Sequence, residues 1–127
     1  MTREEAVAFA VRWIDRWNSR DIEAVLAGFA ENVEFTSPRA LATVGVATVR
    51  GKQALRSYWE TALAHVGSLE FVLQRILWDP ASAELAIIYT STIDGQTKQV
   101  SENLRFGGQR EVVAAGVFHG APRSGGA

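Results

Sequence analysis

LEFVLQRILWDPASAELAIIYTSTIDGQTKQVSENLRFGGQREVVAAGVFH, residues 69–119, is the stretch whose reading decides the fold. Upstream of Leu69 the apolar residues recur at helical spacing; from Leu69 onward they alternate with the two-residue period of a strand. Four strands are predicted, at about 69–78, 84–93, 96–106 and 110–119. Asp79-Pro80 breaks the first from the second, because proline has no amide hydrogen for a ladder. Asp94-Gly95 is the dipeptide favoured in two-residue hairpin turns, where both central residues need positive φ. Gly107-Gly108 turns the third strand into the fourth. Strands joined by such short links form an antiparallel meander.

Working outward toward the amino terminus, residues from about Thr2 to Asn18 form the clearest helix. Thr2 and Glu5 make a capping-box pattern, and Ala6, Phe9, Ala10, Trp13 and Trp17 form one broad apolar face. Asp21 caps a shorter helix whose buried stripe is Ile22, Val25, Leu26 and Phe29. VEFTSP, residues 33–38, reads as a strand with Val33 and Phe35 on one face and Pro38 at its end. Residues 38–51 read as a loop, long enough to be a lid. GKQALRSYWETALAHV, residues 51–66, is a third helix with Leu55, Tyr58, Trp59, Ala62, Leu63 and Val66 turned inward. Three helical segments packed on a strongly curved mixed or antiparallel sheet make an α+β domain, a conical α+β barrel around an internal pocket. That domain is expected to span residues 1–119, with 120–127, GAPRSGGA, as a disordered tail.

Composition narrows the function. At 127 residues there is one domain's worth of chain. Cysteine is absent, which excludes a disulfide framework, thiolate metal sites and cysteine nucleophiles. The 13 Lys and Arg nearly cancel the 14 Asp and Glu, so no basic footprint for nucleic acid is visible. The uncharged, apolar-leaning stretch Ala40 to Val49 is too short to cross a bilayer, and Glu4 and Glu5 stand where a secretion signal carries positive charge. No nucleic acid and no membrane partner is expected, and the location is expected to be cytoplasmic. Neither metal-ligand spacing, nor a nucleophile elbow, nor a phosphate loop occurs, so no metal and no cofactor is expected.

Three segments carry a family resemblance: WNSRDIEAVLAGFAENVEF from Trp17, GKQALRSYWETAL from Gly51, and SENLRF from Ser101 with its Gly-Gly turn. In order and spacing they resemble the nuclear transport factor 2-like superfamily, more narrowly its SnoaL-like and ketosteroid-isomerase-like branch, from about Ala6 to Phe118. The resemblance implies a helix-lined conical pocket and a fold that hosts isomerases, cyclases, epoxide hydrolases and non-catalytic binders. In ketosteroid isomerase a carboxylate base works with a tyrosine and a protonated aspartic acid. Carried over, the tyrosine position falls on Trp13, the base on Ser37 and the neutral acid on Glu102. Indole is a poor acid, and a serine without a partner is no base near neutral pH. Only Glu102 keeps its chemistry, which argues against steroid isomerisation as such.

Glu102 is also singled out by its own strand. Val100, Leu104 and Phe106 share its face, so strict alternation puts a carboxyl group on the apolar side. There it would titrate high and serve as acid, base or hydrogen-bond donor. A bulge turning it to solvent is the bland alternative. His119 is the second catalytic candidate. Paired across the Gly-Gly turn, it shares a face with Ala115, Val117, Glu102 and Lys98, although a solvated strand-end histidine is the commoner situation. Trp13, Trp17, Phe35, Ser37, Tyr58, Trp59 and Tyr89 are expected to line the pocket or simply to fill it. Arg39 and Arg50 flank the loop, where either would suit an anionic group.

Two readings stand at this point. One is an acid–base isomerase, cyclase or hydrolase acting on an apolar cyclic substrate through Glu102. The other is a non-catalytic ligand-binding or accessory domain on the same scaffold. A homodimer through the outer sheet face, around Gln99, Ser101, Ala114, Gly116 and Phe118, is expected in either case.

Overall fold

Helix α1 (Arg3–Asn18) begins where its cap lies: the Thr2 side chain accepts from the Glu5 amide, and Glu5 returns a bond to the Thr2 backbone. Its buried face, Ala6, Ala10, Trp13, Ile14 and Trp17, has the spacing the sequence predicts. Asp21 caps α2 (Ile22–Leu26) through a bond from the Ala24 amide. The computed structural model describes residues 1–122. The remaining elements are β1 (Phe29–Thr36), α3 (Pro38–Val44), β2 (Thr48–Arg50), α4 (Lys52–Ala64), β3 (Leu69–Asp79), β4 (Glu84–Ile93), β5 (Gln96–Phe106) and β6 (Val112–Pro122).

The six strands form one open mixed sheet in the order β2-β1-β6-β5-β4-β3. Every neighbouring pair is antiparallel except β1 and β6, which run parallel. The helices cover one face, and the core lies between them and the inward residues Ile76, Leu85, Ile87, Val100, Leu104 and Phe106. At the β4–β5 hairpin Asp94 and Gly95 both take positive φ, 50° and 82°, as the turn requires. The sheet bends at a bulge in β3, where Leu73 pairs with Tyr89 but Arg75 pairs with Ile88, leaving Gln74 extra. The inward parity therefore switches from Phe71 and Leu73 to Ile76 and Trp78.

Side chains tie the helical layer to the strands. The Asn18 amide donates to the Phe71 carbonyl at 2.9 Å and accepts from the Phe71 amide at 2.7 Å, copying a ladder pair. Arg20 donates to the carbonyls of Val66 and Gly67, both at 2.9 Å. Asp94 accepts from the amides of Gly67 and Ser68, which fastens the α4–β3 link to the hairpin.

Four expectations are corrected. Phe29 does not continue the second helix; it opens β1, pairs with Val112 and is fully buried. A short apolar run fits helix and strand periods alike, and here the strand wins. Residues 38–51 are not a loop but hold α3 and β2. Ser37 caps α3 with Pro38 in its first turn, and Gly45 closes it at φ 81°. Those are helix signals, masked because α3 buries only Ala40 and exposes Leu41 and Val44. The β5–β6 turn runs through Arg110, which takes φ 59°, so β6 starts at Val112 rather than 110. Finally, β6 continues through Gly120 and Ala121 to Pro122, opposite Lys98, so the first part of the expected tail is strand. The rest of it, residues 123–127, lies outside the described residues.

Candidate functional site

A cavity of about 100 Å³ opens between α1, α4 and the inner face of the sheet. All nine residues predicted to be catalytic or pocket-lining border it: Trp13 and Trp17 from α1, Phe35 and Ser37 at the end of β1, Tyr58 and Trp59 from α4, Tyr89 from β4, Glu102 from β5 and His119 from β6. The aromatic residues do not fill it. They stand around it in contact, edge to face for Trp17 with Trp59 and Phe35 with Trp59, ring centroids 4.8 and 5.5 Å apart, and tilted for Trp13 with Tyr89 at 5.4 Å. Such walls are rigid and apolar. Typical ligand pockets measure roughly 300–1,000 Å³. This hollow, at about 100 Å³, is smaller than that.

Glu102 is buried at 4% exposure between Val100 and Leu104, with Val117 opposite it on β6. The loss of solvation pushes its carboxyl from 4.5 up to about 8, only partly offset by a hydrogen bond from Tyr89. The Tyr89 hydroxyl donates to Oε1 at 3.5 Å. Tyr89 itself is held well above its ordinary value by burial and by the facing Glu102. At neutral pH the pair is thus mainly uncharged, and Oε2 is the oxygen left to carry the proton.

His119 pairs with Val100 and lies diagonally across the ladder from Glu102, on the same inner face. Diagonal neighbours on one face stand roughly 7–8 Å apart along the backbone, so both side chains border the same space. Half-buried, it is pushed down to about 4 by desolvation and then by the cations of Lys98 and Arg39. It is a neutral imidazole at pH 7, able to accept a proton.

Ser37 is buried, and its Oγ accepts from the Arg39 amide at 3.2 Å as the α3 cap. Tyr58 lines the same wall, its hydroxyl held above the ordinary value mainly by burial and partly relieved by the neighbouring Ser37. Nothing beside Ser37 would activate it as a base. The Trp17 Nε1 donor is buried without a partner. Of the two arginines flanking residues 38–51, Arg39 borders the cavity, whereas Arg50 pairs with Glu34 on the exposed side of β1 and β2. Among the described residues no group of three or more His, Cys, Asp or Glu is placed to hold a metal, and no helix is long and apolar enough to cross a membrane.

Four cavity residues escaped the sequence reading: Leu69, Phe71, Ser91 and Ile93. Ser91, 3% exposed, follows Tyr89 by two on β4, so the same alternation that exposed Glu102 would have found it. Phe71 packs on Tyr89 with centroids 4.6 Å apart, and its period-two relation to Leu69 and Leu73 was the available signal.

The sequence from 10 to 123 matches the family model described as the SnoaL-like domain. Among solved structures, a SnoaL-like protein of unknown function from Burkholderia thailandensis is 30% identical, with a TM-score of 0.86 over 94% of this chain and 98% of that one. A putative ketosteroid isomerase from Kribbella flavida is 18% identical, with a TM-score of 0.74 over 95% and 82%. The epoxide hydrolase/cyclase-like enzyme SalBIII, described in pyran ring formation, is 13% identical, with a TM-score of 0.71 over 92% of each chain. The last two likenesses are of fold alone. No curated protein sequence matches.

Proposed function

Because this chain belongs to the SnoaL-like domain family, we propose that its cavity binds a small cyclic molecule and that Glu102 performs acid–base chemistry on it. The observation that carries the reading is a carboxylic acid buried on the wall of an aromatic cavity and kept protonated near pH 7. A neutral carboxyl there donates a hydrogen bond, or a proton, to a carbonyl or epoxide oxygen as negative charge develops on it. Tyr89 steadies the acid from Oε1. His119, neutral and facing the same space, is the acceptor for the proton that leaves the substrate. Isomerisation, cyclisation and epoxide opening all need this acid–acceptor pair across one small gap. The cyclase and isomerase likenesses support the class of reaction and not a substrate.

Glu102→Gln keeps the shape and the bond from Tyr89 but removes the transferable proton. Turnover of any cyclic ketone or epoxide found by screening is expected to fall at least about 100-fold in kcat/KM, with binding retained. Undiminished turnover in the variant would sink the catalytic role and leave ligand binding alone.

The same proposal includes a homodimer through the outer face of the sheet. Phe118 is 63% exposed there, opposite Ser101 and beside the small residues Ala114 and Gly116. A second copy would bury that ring on a flat, lightly charged surface. Phe118→Asp is expected to convert a dimer to a monomer in sedimentation at micromolar concentration without loss of helicity. A parent chain that sediments as a monomer would end the dimer proposal.

A further inference from the structure

Two positive side chains from different elements come close together on the cavity side of the sheet, and one of them borders the cavity. Arg39, on α3, borders it directly. Lys98 lies on β5 in the same register as Val100 and Glu102, opposite the cavity residue Ser91, and so faces inward. Both are only partly exposed. They stand near enough that burial first and then Arg39 lower the pKa of Lys98, and both act on His119. Bringing like charges together costs free energy unless something negative joins them.

Nothing negative does so among the described residues. Their ion pairs are Arg50 with Glu34, Lys52 with Glu31, Arg56 with Glu23 and Arg110 with Glu5. Neither Arg39 nor Lys98 takes part. The acid nearest the space, Glu102, is mainly uncharged at pH 7 and is bonded to Tyr89. Among the described residues the result is an apolar hollow with two cations beside it and no carboxylate paired to either. A lone surface arginine is usually just solvated, but two half-buried cations brought close together are a built charge.

We propose that the natural ligand is an amphiphilic anion, with its ring seated among Trp13, Trp17, Trp59 and Tyr89 and its carboxylate held at the mouth between Arg39 and Lys98. This rests on the pocket reading above and names the ligand class. The ring satisfies the aromatic walls, and the carboxylate neutralises the two cations through charge-assisted hydrogen bonds. The arrangement also fixes which end enters first, so the ring and its reacting group face Glu102.

The test is calorimetric titration at pH 7 and low salt with trans-cinnamate and with its neutral isostere, cinnamamide. Cinnamate is expected to bind at least about tenfold more tightly. Arg39→Gln and Lys98→Gln are each expected to weaken cinnamate about five- to tenfold and to leave cinnamamide unchanged. Arg39→Lys, which keeps the charge, is expected to retain most of the affinity. Thermal melts of each variant check that it is folded. Equal or tighter binding of the amide, or equal losses for both compounds, would overturn the inference while the pocket reading stands. If neither compound binds at millimolar concentration, the inference and the pocket reading fall together.

Discussion

At pH 8 the Glu102→Gln protein is expected to be more stable to unfolding than the parent chain by roughly 4 kcal/mol, and at pH 5 to differ by less than about 1 kcal/mol. The sign follows from where the protons sit. In the unfolded chain the carboxyl titrates near 4.5, and in the folded protein at about 8, so between these values the folded state holds the extra proton. Stability is therefore complete below pH 4.5 and is lost as pH rises through 8. The displacement is 8 − 4.5 = 3.5 units, each equivalent to about 1.36 kcal/mol. Glutamine has no proton to lose and escapes the penalty. His119 slopes the other way: with its pKa lowered from 6.5 to about 4, it contributes stability above 6.5 that is lost as pH falls toward 4. Its half-exposure screens that effect, so the parent's maximum lies on the acid side of neutrality. Urea denaturation of both proteins at pH 5, 6.5 and 8 measures the divergence. Parallel curves would mean that the carboxyl is solvated and charged at neutral pH, and the acid role would go with it.

Trp59→Ala carries the largest expected loss from a single packing change, about 3–5 kcal/mol, or roughly 10–20 °C in Tm. Trp59 is 5% exposed and meets Trp17, Phe29 and Phe35 edge to face, joining α4 to α1 and to β1. Removing the indole deletes those contacts and leaves a void that rigid aromatic neighbours refill poorly. Val11→Ala, on the exposed side of α1, is the control and is expected to change stability by less than about 0.5 kcal/mol. A Trp59→Ala protein within 1 kcal/mol of the parent would show that α4 does not depend on this cluster for its seat.

The architecture was legible where period and punctuation agreed. The Thr2–Glu5 box, the Asp21 cap and the Asp94-Gly95 turn each act within a few residues, and each holds its expected place. Glu102 was legible for the same reason, since alternation along one strand suffices to turn it inward. Features set by partners distant in the chain were not. Phe29 is a strand residue because Val112 pairs with it, and α3 is a helix that buries only Ala40. Alternation alone puts Lys98 on the inner face with Glu102, but that Arg39 of α3 comes close to it is written in neither segment. Their shared position is a tertiary fact.

The parallel pairing of β1 with β6 has a consequence for synthesis on the ribosome. β2 covers one edge of β1, but on the other edge Phe29, Glu34, Phe35 and Thr36 find their partners only in residues 112–116, far along the chain. A nascent polypeptide emerging at about 5–20 residues per second must therefore carry its amino-terminal third, with β1's inner edge unsatisfied, until the last strand arrives. Closure of so distant a pair is slow and comes late. During that interval the greasy segment around Phe29 is the natural target for a chaperone, and a stop codon before Val112 would leave it permanently open.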